Sequence, residues 1–188
     1  MRTATDSRNL LRQRGFTLTE VLTTLGVLGV SLSLAVPGLD SITRSNLRAT
    51  GINGLVGTLH VARSEAITRN TRIAICPSAD GQRCSNVDWD AGWIRFADPN
   101  GDFQVGPGEV VLGASPAVTG LTVRSVAFDQ GLGFAPSGRP LLPDSDQHSG
   151  DFTICANADS ADPQTLHVGP TGAPTLASQA DHRDLDCS

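Results

Sequence analysis

The chain has 188 residues, 39% apolar and 18% charged, which is the size of one ordinary domain and excludes a disordered, collagen-like or disulfide-dense miniprotein. Arginine supplies all 14 basic side chains, so a phosphate-binding GxxxxGKS/T loop, a Schiff-base lysine and a Ser-Lys nucleophile are ruled out. The net charge of −5 is uneven: Arg2, Arg8, Arg12 and Arg14 face only Asp6 at the N-terminus, a basic tip on an acidic body that suits an export or membrane-orienting signal better than general phosphate neutralisation by a nucleic-acid binder.

From Val21 to Val36 the sequence VLTTLGVLGVSLSLAV carries no charge, and counted from Phe16 its only ionisable group is Glu20. About 21 helical residues at 1.5 Å each span about 30 Å, the thickness of a bilayer core. The nearby arginines precede this stretch and the next is Arg44, so the positive-inside tendency keeps the N-terminus cytoplasmic and exports the body. Two plainer readings compete. A buried core helix fits poorly with four flanking arginines. A conventional secretory signal cleaved near Ala35, at Ser33-Leu34-Ala35, would release a free exported protein. Glu20 argues against that cleavage, because a carboxylate costs up to about 2.5–3.5 kcal/mol at a bilayer centre and so calls for a function beyond complementing the first-turn dipole.

Arg14-Gly15-Phe16-Thr17-Leu18-Thr19-Glu20 resembles the processing motif of type IV pilins and type II secretion pseudopilins. The resemblance implies that a membrane-embedded prepilin peptidase cuts after Gly15 and methylates the new amine at Phe16. It also implies that Glu20 is neutralised by that amine on a neighbouring subunit. Residues 1–15 are then a leader, and 16–37 a transmembrane and assembly helix held in inner-membrane lipid. Pro37 cannot donate to the Ser33 carbonyl and is expected to bend or loosen this helix. Beyond it, Leu39, Ile42, Ala49, Ile52, Leu55, Val56, Leu59, Ala62 and Ala66 recur largely at steps of three and four, predicting an amphipathic continuation over 38–70. Gly51, Gly54 and Gly57 within it suggest close approach of another backbone, with the protein's own sheet favoured over a neighbouring helix.

After Asn70 the pattern changes to short β-like runs: Thr71–Cys76, Gly92–Ala97, Val110–Gly113, Leu121–Ser125, Phe152–Cys155 and Thr165–Val168, with weaker candidates near Ala127 and Gly133. One long helix followed by such strands predicts an α+β protein, with a β-sandwich-like head over 71–188. Ala62-Arg63-Ser64-Glu65-Ala66, Cys76-Pro77, Asp90-Ala91-Gly92-Trp93-Ile94-Arg95-Phe96, Asp98-Pro99-Asn100-Gly101-Asp102, Phe128 and Pro136-Ser137-Gly138-Arg139 resemble the GspH/FimT branch of these proteins. That resemblance implies a structural minor pilin or pseudopilin, partnered by other pilins, with its head in the periplasm or in an external filament.

Four cysteines in an oxidising compartment predict two disulfides. Of the three connectivities, Cys76–Cys84 is preferred because it closes a short loop after a strand, and Cys155–Cys187 because it ties an acidic tail to the sheet. No metal or other cofactor is expected: there is no CxxC, and His60, His148, His167 and His182 lack ligand spacing. A weak calcium pattern exists in Asp98, Asn100 and Asp102 with Glu109 at the twelfth loop position, but Phe103 stands where such a loop needs glycine and Pro99 follows the first ligand, so a turn with aspartates capping amides is favoured. The sequence has no GxSxG, HExxH or complete GxGxxG pattern, and the expectation is a non-enzyme. Some FimT-like proteins resemble DNA receptors with an Arg-rich GRxR-like turn. Here the corresponding stretch, Gly169-Pro170-Thr171-Gly172-Ala173-Pro174-Thr175, has no basic residue, which leaves Arg139 as the one DNA-contact candidate and argues against nucleic acid as a partner.

Overall fold

The computed structural model describes residues 15–143, 146–156 and 163–177, with the side chains at 34–41 outside that description. The chain divides into two compact units between Ile42 and Thr43. In the first, helix α1 (Leu18–Arg69) begins, and its residues from Val21 to Leu32 expose apolar side chains on every face.

In the second unit α1 continues and becomes one-sided. Ile52, Leu55, Leu59, Ala62 and Ala66 are buried, and Leu47 and Val56 pack at their margin. Ala49, expected on this face, is instead exposed, so the buried stripe starts later in this unit than the apolar spacing suggested. The helix stops at Asn70, whose φ of 50° is the left-handed conformation that ends many helices and that asparagine tolerates better than most residues.

Among the described residues nine strands follow: β1 (Ile73–Pro77), β2 (Gly92–Ala97), β3 (Val111–Pro116), β4 (Thr122–Arg124), β5 (Leu132–Phe134), β6 (Pro140–Leu141), β7 (Gly150–Cys155), β8 (Gln164–Val168) and β9 (Pro174–Leu176). They form two antiparallel sheets, ordered β3-β2-β1-β5-β6 and β4-β7-β8-β9. The α+β expectation, a long helix packed on an antiparallel head, is met. Three local expectations are not. The run near Ala127 is a turn rather than a strand, held by the Phe128 amide donating to Ser125 Oγ at 3.0 Å. β6 and β9 lie outside the runs read as strands, where Pro140 and Pro174 masked short strands that sit at the sheet edges, where proline is tolerated.

Alternation along β1 separates two apolar layers. Ile73 and Ile75 join the main core with the helix stripe, Trp89, Trp93, Leu132, Phe134, Phe152, Ile154, Leu166 and Val168, so one core is shared by the helix and both sheets. Ala74 and Cys76 face the other way, into a second cluster with Ile94, Phe96 and Phe103. Two loops contribute to that outer cluster, 78–84 through Cys84 and 98–109 through Phe103 and Val105.

The glycine steps in α1 have unequal roles. A Cβ at Gly51 would run into the Leu121 side chain, and Gly54 lies beside Trp93, but Gly57 faces open space. Close approach to the head therefore accounts for the first of them and not for the last. Between helix and sheet, Arg95 Nε donates to Glu65 Oε2 at 2.6 Å, and Trp93 Nε1 donates to Thr58 Oγ1 at 3.0 Å.

Candidate functional site

The N-terminal candidates sit together. Gly15 and Phe16 precede the helix, and Phe16 is 83% exposed. Thr17 caps α1: the Glu20 amide donates to Thr17 Oγ1 at 3.3 Å, and the Val21 amide to the Thr17 carbonyl at 3.2 Å. Thr17-Leu18-Thr19-Glu20 thus has the Thr-x-x-Glu order of a capping box, with Glu20 as the acid of the first turn. The scissile bond expected between residues 15 and 16 lies just outside the hydrogen-bonded helix, and the carboxylate lies one turn inside it.

Sequence reading passed over the hydroxyl groups of this helix. Thr23 and Thr24 donate to the carbonyls of Glu20 and Val21, and Ser31 and Ser33 to those of Val27 and Val30, at 2.7–3.0 Å. Each hydroxyl is thereby satisfied inside its own helix, the arrangement an apolar medium requires because no water is available to the group. The signal was present in four Ser and Thr residues interrupting an otherwise aliphatic stretch. Among the described residues no helix is long and apolar enough to cross a membrane. The described apolar part of α1 ends at Ser33, and Pro37 lies where α1 is continuous but its side chain is outside the description.

On the outer face of the head, Cys76 and Cys84 form a disulfide. It closes a loop organised by Asp80, whose Oδ1 accepts from the amides of Gln82 and Arg83 at 2.8 and 2.9 Å; those amides hold its carboxyl below the usual carboxylate range. Cutting this bridge in a Cys76→Ala/Cys84→Ala variant is expected to cost about 2.5 kcal/mol through the freed unfolded chain, read as a lower urea midpoint. Cys155 is also disulfide-bonded and buried; Cys187 lies outside the described residues.

The acidic loop contains Asx-type caps, as the turn reading expected. Asp98 Oδ1 accepts from the Gly101 amide at 2.7 Å, Asn100 Oδ1 from Asp102 at 3.1 Å, Asp102 Oδ1 from Gln104 at 2.8 Å, and Glu109 Oε2 from Gly106 at 2.8 Å. Asp98 is fully buried, and burial pushes its carboxyl above the usual range, an effect that the Gly101 amide, the Arg72 charge and the nearby Phe103 amide only partly offset. Phe103 takes a φ of 57° and is buried in the outer cluster, so it adopts the left-handed turn that glycine was expected to be needed for.

The remaining candidates are dispersed. Arg139 is exposed at the end of a turn fixed from α1, where Arg63 Nε donates to the Gly138 carbonyl at 3.0 Å. His148 Nδ1 is 2.9 Å from the Pro140 carbonyl, His167 Nδ1 is 2.6 Å from Asp151 Oδ1, and His60 lies exposed on α1. His182 lies outside the described residues.

A long N-terminal helix with a capped, aliphatic start, joined to a head of two antiparallel sheets, defines a pilin-like protein. The family model described as Type II transport protein GspH matches residues 51–172, and the prokaryotic N-terminal methylation motif matches residues 10–36. The chain belongs to the GspH family and is a minor pilin or pseudopilin carrying an N-methylation motif. It is 33% identical over 147 residues to the pilin-like protein PilA1 of Thermus thermophilus, a match spanning 71% of this chain and 83% of that protein. Its fold is similar to that of the type IV minor pilin FimU of Pseudomonas aeruginosa in two crystal forms. The TM-scores are 0.58 and 0.54 at 20% and 21% identity, covering 78% and 74% of this chain and 99% of each FimU chain.

Proposed function

We propose that this protein is a non-enzymatic structural subunit of a filament of the type IV pilus or type II secretion kind. A prepilin peptidase removes residues 1–15 and methylates Phe16. Residues 16–37 anchor the mature chain once in the inner membrane, with the N-terminus cytoplasmic and the 71–188 head periplasmic, and 38–70 extend that helix. In assembly the Phe16 amine of one subunit meets Glu20 of another, and Pro37 lets the helix repack as it leaves lipid. Cys155 pairs with Cys187 to hold the C-terminal tail.

The observation that carries this reading is the methylation motif over residues 10–36 coinciding with a helix capped at Thr17, directly after the expected cut. An aliphatic surface on all sides and self-satisfied hydroxyls support an apolar environment for the segment. Glu20 there needs a partner of opposite charge, which a cut at Gly15–Phe16 creates.

Intact mass and N-terminal sequencing of the chain recovered from cell envelopes test it. The expected product starts at Phe16 with one added methyl group, and a Gly15→Asp variant stays uncut and out of filaments. A mature chain starting at Met1, or near Val36 in a soluble fraction, overturns the reading.

A further inference from the structure

We infer that the loop from Asp98 to Glu109 binds a calcium ion through the carboxylates of Asp98, Asp102 and Glu109. Oxygens of these three side chains lie within 4.8 Å of one another, the only such grouping of His, Cys, Asp or Glu among the described residues. Clustering alone would mean little, since acidic turns are common. The decisive feature is Asp98. It is fully buried, and while its Oδ1 is used by the Gly101 amide, its Oδ2 is buried with no hydrogen-bond partner. Glu109 repeats the arrangement: Oε2 takes the Gly106 amide, and Oε1 is buried and unpartnered. Two orphaned carboxylate oxygens belonging to one cluster call for a cation, because buried polar atoms are otherwise paired.

The protein's own nearest cation does not fill that role. Arg72 stacks toward Phe103, 6.0 Å from the ring centroid, and lies against Gly101; it lowers the cost of the Asp98 charge from a distance without placing a nitrogen on Oδ2. The ligand set contains only oxygen, which selects a hard cation over zinc or copper. Its carboxylates come from an irregular connection between β2 and β3 and range from buried Asp98 to exposed Asp102, and this favours calcium, which accepts irregular shells of 6–8 oxygens, over octahedral magnesium. The bound ion would pin that connection over the outer apolar cluster, into which Phe103 is inserted.

The test uses the full chain in detergent, stripped with EGTA. At matched ionic strength, about 5 mM CaCl2 is expected to raise Tm by about 4 °C over EGTA, the shift for a site of about 0.5 mM affinity in a domain of this size. Because Asp98 is buried, the informative variants are Glu109→Gln and the exposed Asp102→Asn. Each is expected to lose the calcium-dependent rise while melting in EGTA at or above the wild-type temperature, since each removes one of three crowded like charges. Calorimetric titration with CaCl2 should show one site in wild type and none in Glu109→Gln. Equal Tm in calcium and EGTA, an equal rise in both variants, or an equal rise with MgCl2 overturns the assignment.

Discussion

Trp89→Ala is expected to destabilise the head by about 5 kcal/mol, comparable with the entire stability of a small domain. Trp89 is 2% exposed at the centre of the shared core, its ring 5.0 Å from Phe152 in an edge-on contact and 6.4 Å from Trp93. Truncation opens a large cavity where helix and both sheets meet. It also leaves the Phe128 carbonyl, which accepts from Trp89 Nε1 at 2.9 Å, buried and unpaired. Trp89→Phe separates the two contributions: it keeps most of the packing, loses the hydrogen bond, and is expected to cost about 2 kcal/mol. Urea unfolding followed by Trp93 fluorescence reads both variants. A loss under about 1 kcal/mol for Trp89→Ala would show that this residue is not where the layers are joined.

The sequence exposed this core unevenly, for reasons of period and distance. The stripe from Ile52 to Ala66 was legible because its burial repeats at the period of one helix face, and β2 because a short apolar run between Gly92 and Asp98 reads as a strand covered on both faces. The processing segment was legible because its chemistry is local: Gly15, Phe16 and Glu20 are neighbours in the chain. The Cys76–Cys84 loop was legible on the same ground. β6 and β9 exist only because partner strands accept them, and residues 140–141 and 174–176 carry no periodicity of their own. The acidic loop shows a different limit. Its spacing was visible, but the objection from Phe103 rested on a general conformational preference. In the fold, burial of the Phe103 ring against Ala74, Cys76, Ile94 and Phe96 compensates the left-handed backbone, and no local pattern reports that contact. Nor could spacing reveal that Asp98 would be buried with one oxygen unpaired.

Gly92→Ala is the second severe substitution, at about 4 kcal/mol, and it explains the Asp90-Ala91-Gly92-Trp93 segment physically. A short 3-10 helix, Trp89–Ala91, places Trp89 in the core and must pass at once into β2. The turn between them requires φ 112° and ψ 170° at residue 92, a region open essentially to glycine alone and costing other residues about 1–3 kcal/mol. A Cβ would also meet the Ser115 carbonyl oxygen at 2.7 Å, with the Ser78 oxygen and Ala117 nitrogen at 3.1 and 3.2 Å. All three are backbone atoms, so relief requires shifting β3, paired here through Gly92 and Pro116, or the disulfide loop, whose Ser78 amide donates to the Gly92 carbonyl at 2.9 Å. Gly57→Ala is the control. That glycine lies in mid-helix with nothing within 4 Å of a new Cβ, and the change is expected to stabilise by about 0.5–1 kcal/mol. Opposite signs for the same chemical change, measured by urea unfolding, would confirm that close backbone approach fixes Gly92; a shift at Gly92 no larger than that at Gly57 would exclude it.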